Sequence, residues 1–247
     1  MTFCAVLPLC LTAQNHKTKE QKFTAPLTEK WDPEPAMVKS NNSQEAVPAP
    51  SDAIVLLSPT SGLGAWKQKN SDQIKWKYKD GVLTVTPHTG NIYTKENFGD
   101  CQLHLEWSVS TERRSHGQGR ANSGVFLQSL YEIQILDSYE NRTYANGQAG
   151  SIYKQSAPLV NPINKPGEWN SYDIIYHAPT FNKDGSIRDN ARVTVLFNGV
   201  LVQNNTVIQG TTEYIGLPKQ IKHGDAPLMI QDHFIEVRFR NIWIRKL

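Results

Sequence analysis

Glu132 and Gln134 alternate with Ile133 and Ile135 in the run Tyr131-Glu132-Ile133-Gln134-Ile135-Leu136-Asp137. On an extended strand this spacing puts the carboxyl and the carboxamide side by side on one face and the isoleucines on the other. Such a pair can exchange a proton with a bound molecule, orient its hydroxyls or hold a cation. Gln231-Asp232-His233 repeats the arrangement: Gln231 and His233 share a face between the apolar flanks Leu228-Met229-Ile230 and Phe234. Imidazole titrates near neutral pH, which suits His233 to general-base work. Both patterns also suit plain structure, as a solvated strand face and a hydrogen-bonded structural histidine. His104 and Glu106 form a second outward-facing pair, open to the same two readings.

Other polar groups stand where a ligand can meet them. Arg120-Ala121-Asn122-Ser123-Gly124 is a turn feeding a strand, able to present Asn122 and backbone amides. Gly167-Glu168-Trp169-Asn170 carries Trp169 at a loop end, where its ring can stack on a sugar. Trp66, Trp76, Trp107 and Trp243 read as core, and His116 and His223 as solvated loop residues. The chain lacks a phosphate-cradling Gly-rich loop, a Cys-x-x-Cys pair, a His-Glu-x-x-His helix and a Gly-x-Ser-x-Gly elbow. Nucleotide-dependent, zinc-ribbon and α/β-hydrolase chemistry are thereby set aside.

The elements that must position these groups read as β throughout. Ile74–Tyr78 and Val82–Val85 flank Asp80-Gly81, and Val193–Phe197 and Val200–Val202 flank Asn198-Gly199, the strongest hairpin signal. Cys101–Val109 alternates, with Leu103, Leu105 and Trp107 on one face. Val125–Gln128, Tyr131–Leu136, Tyr172–Tyr176 and Phe234–Ile244 continue the series, and no window carries a helical stripe. Roughly ten or more strands without helical crossovers imply an all-β, antiparallel sandwich of jelly-roll type. The segments 111–119, 141–148 and 180–190 read as long loops that shape a groove or simply connect strands.

Composition limits the partners. The 247 residues hold 26 Lys+Arg against 23 Asp+Glu, scattered along the chain, so charge gives no reason to expect nucleic acid or a membrane surface. No apolar run reaches the ~20 residues of a spanning helix. Residues 1–13, apolar to Leu11 and ending in Leu11-Thr12-Ala13, read as a signal segment, which places the protein in a bacterial periplasm or beyond. Its removal takes Cys4 and Cys10 and leaves Cys101 without a disulfide partner. Residues 14–51, marked by Pro26, Pro33, Pro35, Pro48 and Pro50, read as an extended leader along the surface of a single domain spanning 52–247.

An ordered set of motifs carries a family resemblance. It runs Gly64-Ala65-Trp66, Trp76, Asp80-Gly81-Val82-Leu83, Phe98-Gly99-Asp100, Asn122-Ser123-Gly124-Val125-Phe126 and Tyr131–Asp137. It continues through Gly150-Ser151-Ile152-Tyr153, Gly167–Asn170, Phe197-Asn198-Gly199-Val200, Gln231-Asp232-His233 and Arg238-Phe239-Arg240-Asn241-Ile242. Over residues 52–247 the chain resembles the 3-keto-disaccharide hydrolase family. The resemblance implies a concanavalin A-like jelly roll, export, and activity on glycosides already oxidised to a ketone at C3 by a separate sugar 3-dehydrogenase.

A C3 ketone acidifies the C2 proton. A base can then form an enolate, the C1 substituent leaves by β-elimination, and water adds to the enone to complete hydrolysis. On this reading His233 is the base, and Glu132 is the acid or a ligand of a stabilising cation. Asn122, Gln134 and Gln231 orient the sugar, with Asp137 beside them at the strand end. Lys154 and Arg120 stabilise the enolate or bind hydroxyls, and Trp169 stacks on a ring. A divalent metal ion is compatible with this grouping, but no spacing is diagnostic of one. Two other readings stay open. The Glu132–Asp137 strand is similar to the paired-acid strand of lichenase- and laminarinase-type glucanases, with Gln134 in place of the middle acid. Lectins share the sandwich, so a non-catalytic carbohydrate-binding module also fits.

Overall fold

The Asp-Gly and Asn-Gly dipeptides turn the chain as two-residue hairpin loops require. Asp80 and Gly81 take φ of 50° and 80°, and Asn198 and Gly199 take 50° and 76°. Both residues of such a loop must enter the left-handed region, which Gly, Asn and Asp reach at least cost. In the computed structural model these turns join Lys77–Lys79 (β3) to Val82–Thr84 (β4) and Arg192–Phe197 (β12) to Val200–Val207 (β13). The structure describes residues 23–41, 44–112 and 115–247. The signal segment read at 1–13 lies outside them.

Among the described residues, two antiparallel sheets face each other. The back sheet follows the order β13-β12-β9-β6-β15-β4-β3, where β6 is Cys101–Val109, β9 is Asn170–His177 and β15 is Val237–Lys246. Ile54–Leu57 (β1) also pairs with β15. The front sheet follows β2-β5-β14-β7-β8, built from Trp66–Gln68, Ile92–Phe98, Ala226–Ile230, Asn122–Leu127 and Tyr131–Leu136. This is the all-β antiparallel jelly-roll sandwich that the sequence implied. Residues 180–190, read as a loop, form a small hairpin instead: Thr180–Phe181 (β10) pairs with Ile187–Asp189 (β11).

The core lies between the sheets. Trp66, Trp107, Tyr172, Tyr176, Phe197 and Phe239 are its largest fully buried side chains, and Trp76 is buried with them, whereas Trp243, read as core, is buried on the outer face of the back sheet against His104. Burying one Leu or Phe of this kind contributes roughly 1.5–3 kcal/mol. Two tyrosines of β9 also tie the sheets together by hydrogen bonds. The Tyr172 hydroxyl donates to Gln134 O (2.6 Å), and the Tyr176 hydroxyl donates to Gln128 Oε1 (2.7 Å). Cys101 is a buried free thiol whose pKa burial pushes up to about 12.

The proline-marked segment straps the domain. Around its 3-10 turn, Ala25–Thr28, Asn146 accepts the Lys30 N–H (2.9 Å) and donates to Thr28 O (3.0 Å). Farther on, Val38 N–H donates to Asn161 O and Asn161 N–H to Ala36 O. Residues 44–47 then cross the back sheet, where Val47 N–H donates to Glu106 Oε1 and Asn241 Nδ2 to Val47 O. This overturns one reading of the alternation in β6. His104 and Glu106 were expected to face solvent, but they are 0% and 3% exposed. The strap, Arg240 and Trp243 cover that face, and a period-2 pattern gives no sign of what packs on top of it.

Candidate functional site

Strand β8 turns Ile133 and Ile135 into the core and Glu132 and Gln134 to the other face, as its alternation requires. Its partner β7 places Phe126 opposite Glu132 and Gly124 opposite Gln134, with Asn122 two residues on along the same face. Chain pairing continues past β14: Gln231 N–H donates to Gly124 O, and Gln231 and His233 come onto the same wall. These side chains line one cavity of about 490 Å³.

Two environments in that cavity push titrating groups in opposite directions. Burial pushes the Glu132 carboxyl up to about 8, so it holds its proton at neutral pH. Burial also holds His233 below its ordinary value of 6.5, and the nearby Asp232 charge only partly offsets this. At neutral pH the pair is therefore a protonated carboxyl and an unprotonated imidazole. The strand edge away from β7 is pinned by loops: Glu132 N–H donates to Thr212 Oγ1, and Tyr153 N–H donates to Glu132 O. The Gln134 amide lies 3.2 Å from Glu132 Oε1 and 2.9 Å from Ser123 O. Ser123 O is an acceptor, so the amide nitrogen must point this way and donate to both.

The structure thus brings Glu132, His233, Asn122, Gln134 and Gln231 together. It does not bring the other four candidates onto the same wall. Arg120 and Asp137 pair with each other at 3.4 Å and line a neighbouring cavity, also about 490 Å³, with Glu112 and Glu236. Lys154 sits behind the tyrosines of the wall, where its ammonium donates to Ala25 O (2.7 Å) and Tyr214 O (2.8 Å). Trp169 belongs to the back-sheet side. Its ring lies under the Arg240 guanidinium at 4.2 Å, and Gln44 of the strap holds its backbone.

Sequence reasoning missed Glu29, Gln118, Phe126, Tyr144, Tyr153, Thr212 and Tyr214, which complete the cavity. Strand periodicity could have found Phe126, since it shares a face with Asn122 and Gly124. No local signal marks the others, which arrive from loops and from the strap.

A cation in this cavity would meet Glu132, His233 and Gln231 Oε1, a buried oxygen with no hydrogen-bond partner. The described residues hold no group of three His, Cys, Asp or Glu side chains placed to share a metal ion. Glu29, the third ionisable donor of the wall, is not placed to join Glu132 and His233, so no coordination sphere is preformed there. No step below is routed through a metal.

The sequence profile of the 3-keto-alpha-glucoside-1,2-lyase-like domain matches residues 53–245. The chain belongs to this family. It is also similar to a protein of Parabacteroides distasonis ATCC 8503 that is provisionally named a glycosyl hydrolase. That crystal structure has 49% identity and a TM-score of 0.79 and covers 91% of this chain and 97% of its own. A second structure from the same organism, with the same provisional name, shares 21% identity at a TM-score of 0.51. It covers 75% of this chain and 89% of its own, and it speaks for the fold alone. No curated protein sequence matches the chain. With its family and fold, the protein is a glycosyl hydrolase-like carbohydrate-active enzyme.

Proposed function

We propose that the protein cleaves the glycosidic bond of 3-keto-glycosides by C2 deprotonation, β-elimination and hydration. The observation that carries this reading is the pairing of a neutral His233 with a protonated Glu132 in one cavity. Titratable partners pushed apart in this way support a base role for His233 and an acid role for Glu132.

The steps balance on these two groups. His233 takes the C2 proton, and the electrons form the enolate of the C3 ketone. The hydroxyls of Tyr144 and Tyr153, which share one hydrogen bond at 2.7 Å and so keep one proton to donate into the cavity, stabilise its oxygen. The enolate then collapses to the C1–C2 enone and expels the C1 oxygen, which takes the Glu132 proton. Water adds at C1 and gives a proton to the Glu132 carboxylate, while the His233 imidazolium returns one to C2. Both groups finish as they began.

A retaining double displacement needs two carboxyl groups ~5–5.5 Å apart, one of them ionised and nucleophilic. Position 134 is a glutamine, and Asp137 is engaged by Arg120 in the neighbouring cavity. The paired-acid reading therefore has less support. We place the enzyme outside the cytoplasm, downstream of a separate dehydrogenase that oxidises C3.

The test is to incubate purified protein with 3-keto-trehalose, 3-keto-lactose and methyl 3-keto-glucoside and follow products by mass. Turnover that is lost in His233→Ala supports the assignment. Turnover unchanged by that substitution removes His233 as the base, and sugar binding without turnover makes the protein a carbohydrate-binding module.

A further inference from the structure

Phe234 follows the cavity histidine and points away from the core: it is 59% exposed, with φ of 64°. Bulky residues rarely occupy the left-handed region and stay there only when surrounding contacts enforce it. Here the enforcing group is Asp232. Its Oδ1 accepts the Phe234 N–H (2.9 Å), and its Oδ2 accepts the N–H groups of Thr89 (2.8 Å) and Gly90 (2.9 Å). The opposing loop carries His88, also left-handed at φ 65°. One buried carboxylate thus locks two unusual turns, and the result is a stack: the His88 and Phe234 rings lie 4.8 Å apart at 19°. Gln68 Nε2 and Trp76 Nε1 anchor the same loop by donating to Thr89 O and Gly90 O.

The stack stands beside His233, at the border between that cavity and its neighbours. The Phe234 ring centre is 5.9 Å from that of His233. Phe234 walls both the cavity that holds Arg120 and Asp137 and a third, of about 790 Å³, that holds Asn70, Asn91 and Tyr93. An exposed aromatic face rimmed by amides, hydroxyls and charged groups matches a pyranose, with its apolar C–H face and equatorial hydroxyls.

We propose that Phe234, backed by His88 and held by Asp232, is the stacking platform for the leaving sugar. The enzyme thereby prefers glycosides whose leaving group is itself a sugar ring. This subsite rests on the reading that a glycoside is cleaved beside His233.

The test compares kcat/KM for 3-keto-trehalose and methyl 3-keto-glucoside in wild type, Phe234→Ala and Phe234→Tyr. The ratio of the two values, disaccharide over methyl glycoside, falls about tenfold in Phe234→Ala and is retained in Phe234→Tyr. An unchanged ratio in Phe234→Ala overturns the proposal, whether both rates hold or both fall together. If wild type turns over neither substrate, the reaction assigned above has failed. The platform is then read by titrating unoxidised trehalose calorimetrically. Weaker binding by Phe234→Ala than by wild type supports it, and equal binding or none overturns it.

Discussion

Gly124 and Glu132 are diagonal neighbours across the β7–β8 pair: a Cβ on Gly124 would stand 2.2 Å from Glu132 Oε1. The missing side chain makes the space in which the carboxyl is buried. Gly124 is not in the left-handed region, so alanine fits its backbone. The clash falls on the carboxyl and also on Cγ, at 2.9 Å, so the buried Glu132 side chain must swing aside as a whole. Gly124→Ala is therefore expected to lower Tm and to lose at least about tenfold in kcat, because the acid is displaced. Thermal melts and steady-state rates on a 3-keto-glycoside check this. Unchanged kcat would mean that the buried carboxyl is not the acid.

Activity should carry the signature of the two titrations. The reaction needs Glu132 protonated and His233 neutral, so the basic limb of kcat/KM lies near 8, where Glu132 ionises, and the acid limb lies below 6.5. Glu132→Gln should lower kcat by about 10²–10⁴. It should also raise stability at alkaline pH. A carboxyl whose folded pKa is raised from 4.5 to about 8 loses stability as pH climbs between those values, and the amide avoids that loss. A Glu132→Gln protein that melts below wild type at pH 8 would contradict the burial argument.

A second titration acts on the opposite face of the sandwich. Burial alone would lower the His104 pKa, but hydrogen bonds to Asp173 (2.7 Å) and Glu106 outweigh it and bring the group to about 9. Trp243 stacks on the ring, and Arg240 and Asn241 satisfy the rest of Glu106. A pKa raised on folding stabilises fully below 6.5 and is lost as pH rises through about 9. The contribution is on the order of 3 kcal/mol. The difference in Tm between wild type and His104→Gln should therefore shrink from pH 6 to pH 10. A difference constant with pH would show that His104 is neutral in the fold.

The strap should be separable from the sandwich. Asn146 is fully buried and makes two hydrogen bonds to the strap, one to Lys30 N and one to Thr28 O. Losing them costs ~1–3 kcal/mol locally. Asn146→Ala should expose residues 23–41 to limited proteolysis sooner than wild type and lower kcat/KM, because Glu29 leaves the cavity wall. Equal cleavage rates would show that the strap is held elsewhere.

What the sequence revealed follows the range over which each feature is determined. Turn chemistry and period-2 alternation are local, so β6 and β8, the Asp80-Gly81 and Asn198-Gly199 turns and the shared face of Glu132 and Gln134 were legible. Phe234 was read as the start of a strand, yet β15 begins at Val237. The Asp232 contacts that bend the chain there reach to Thr89 and Gly90, far away in sequence. Lys154 and Trp169 had suitable chemistry for a sugar site. Their partners, Ala25, Tyr214, Gln44 and Arg240, come from distant segments that no local pattern connects to them.

The central claim is that the C2 proton leaves before the glycosidic bond breaks. Turnover of 3-keto-trehalose in D₂O, followed by mass spectrometry and proton NMR of the released 3-keto-sugar, reads this directly, against substrate held without enzyme and with His233→Ala. Elimination and hydration predict deuterium at C2 of the product at a level well above both controls. Cleavage that leaves C2 free of deuterium and also shows no primary isotope effect with C2-deuterated substrate would contradict it.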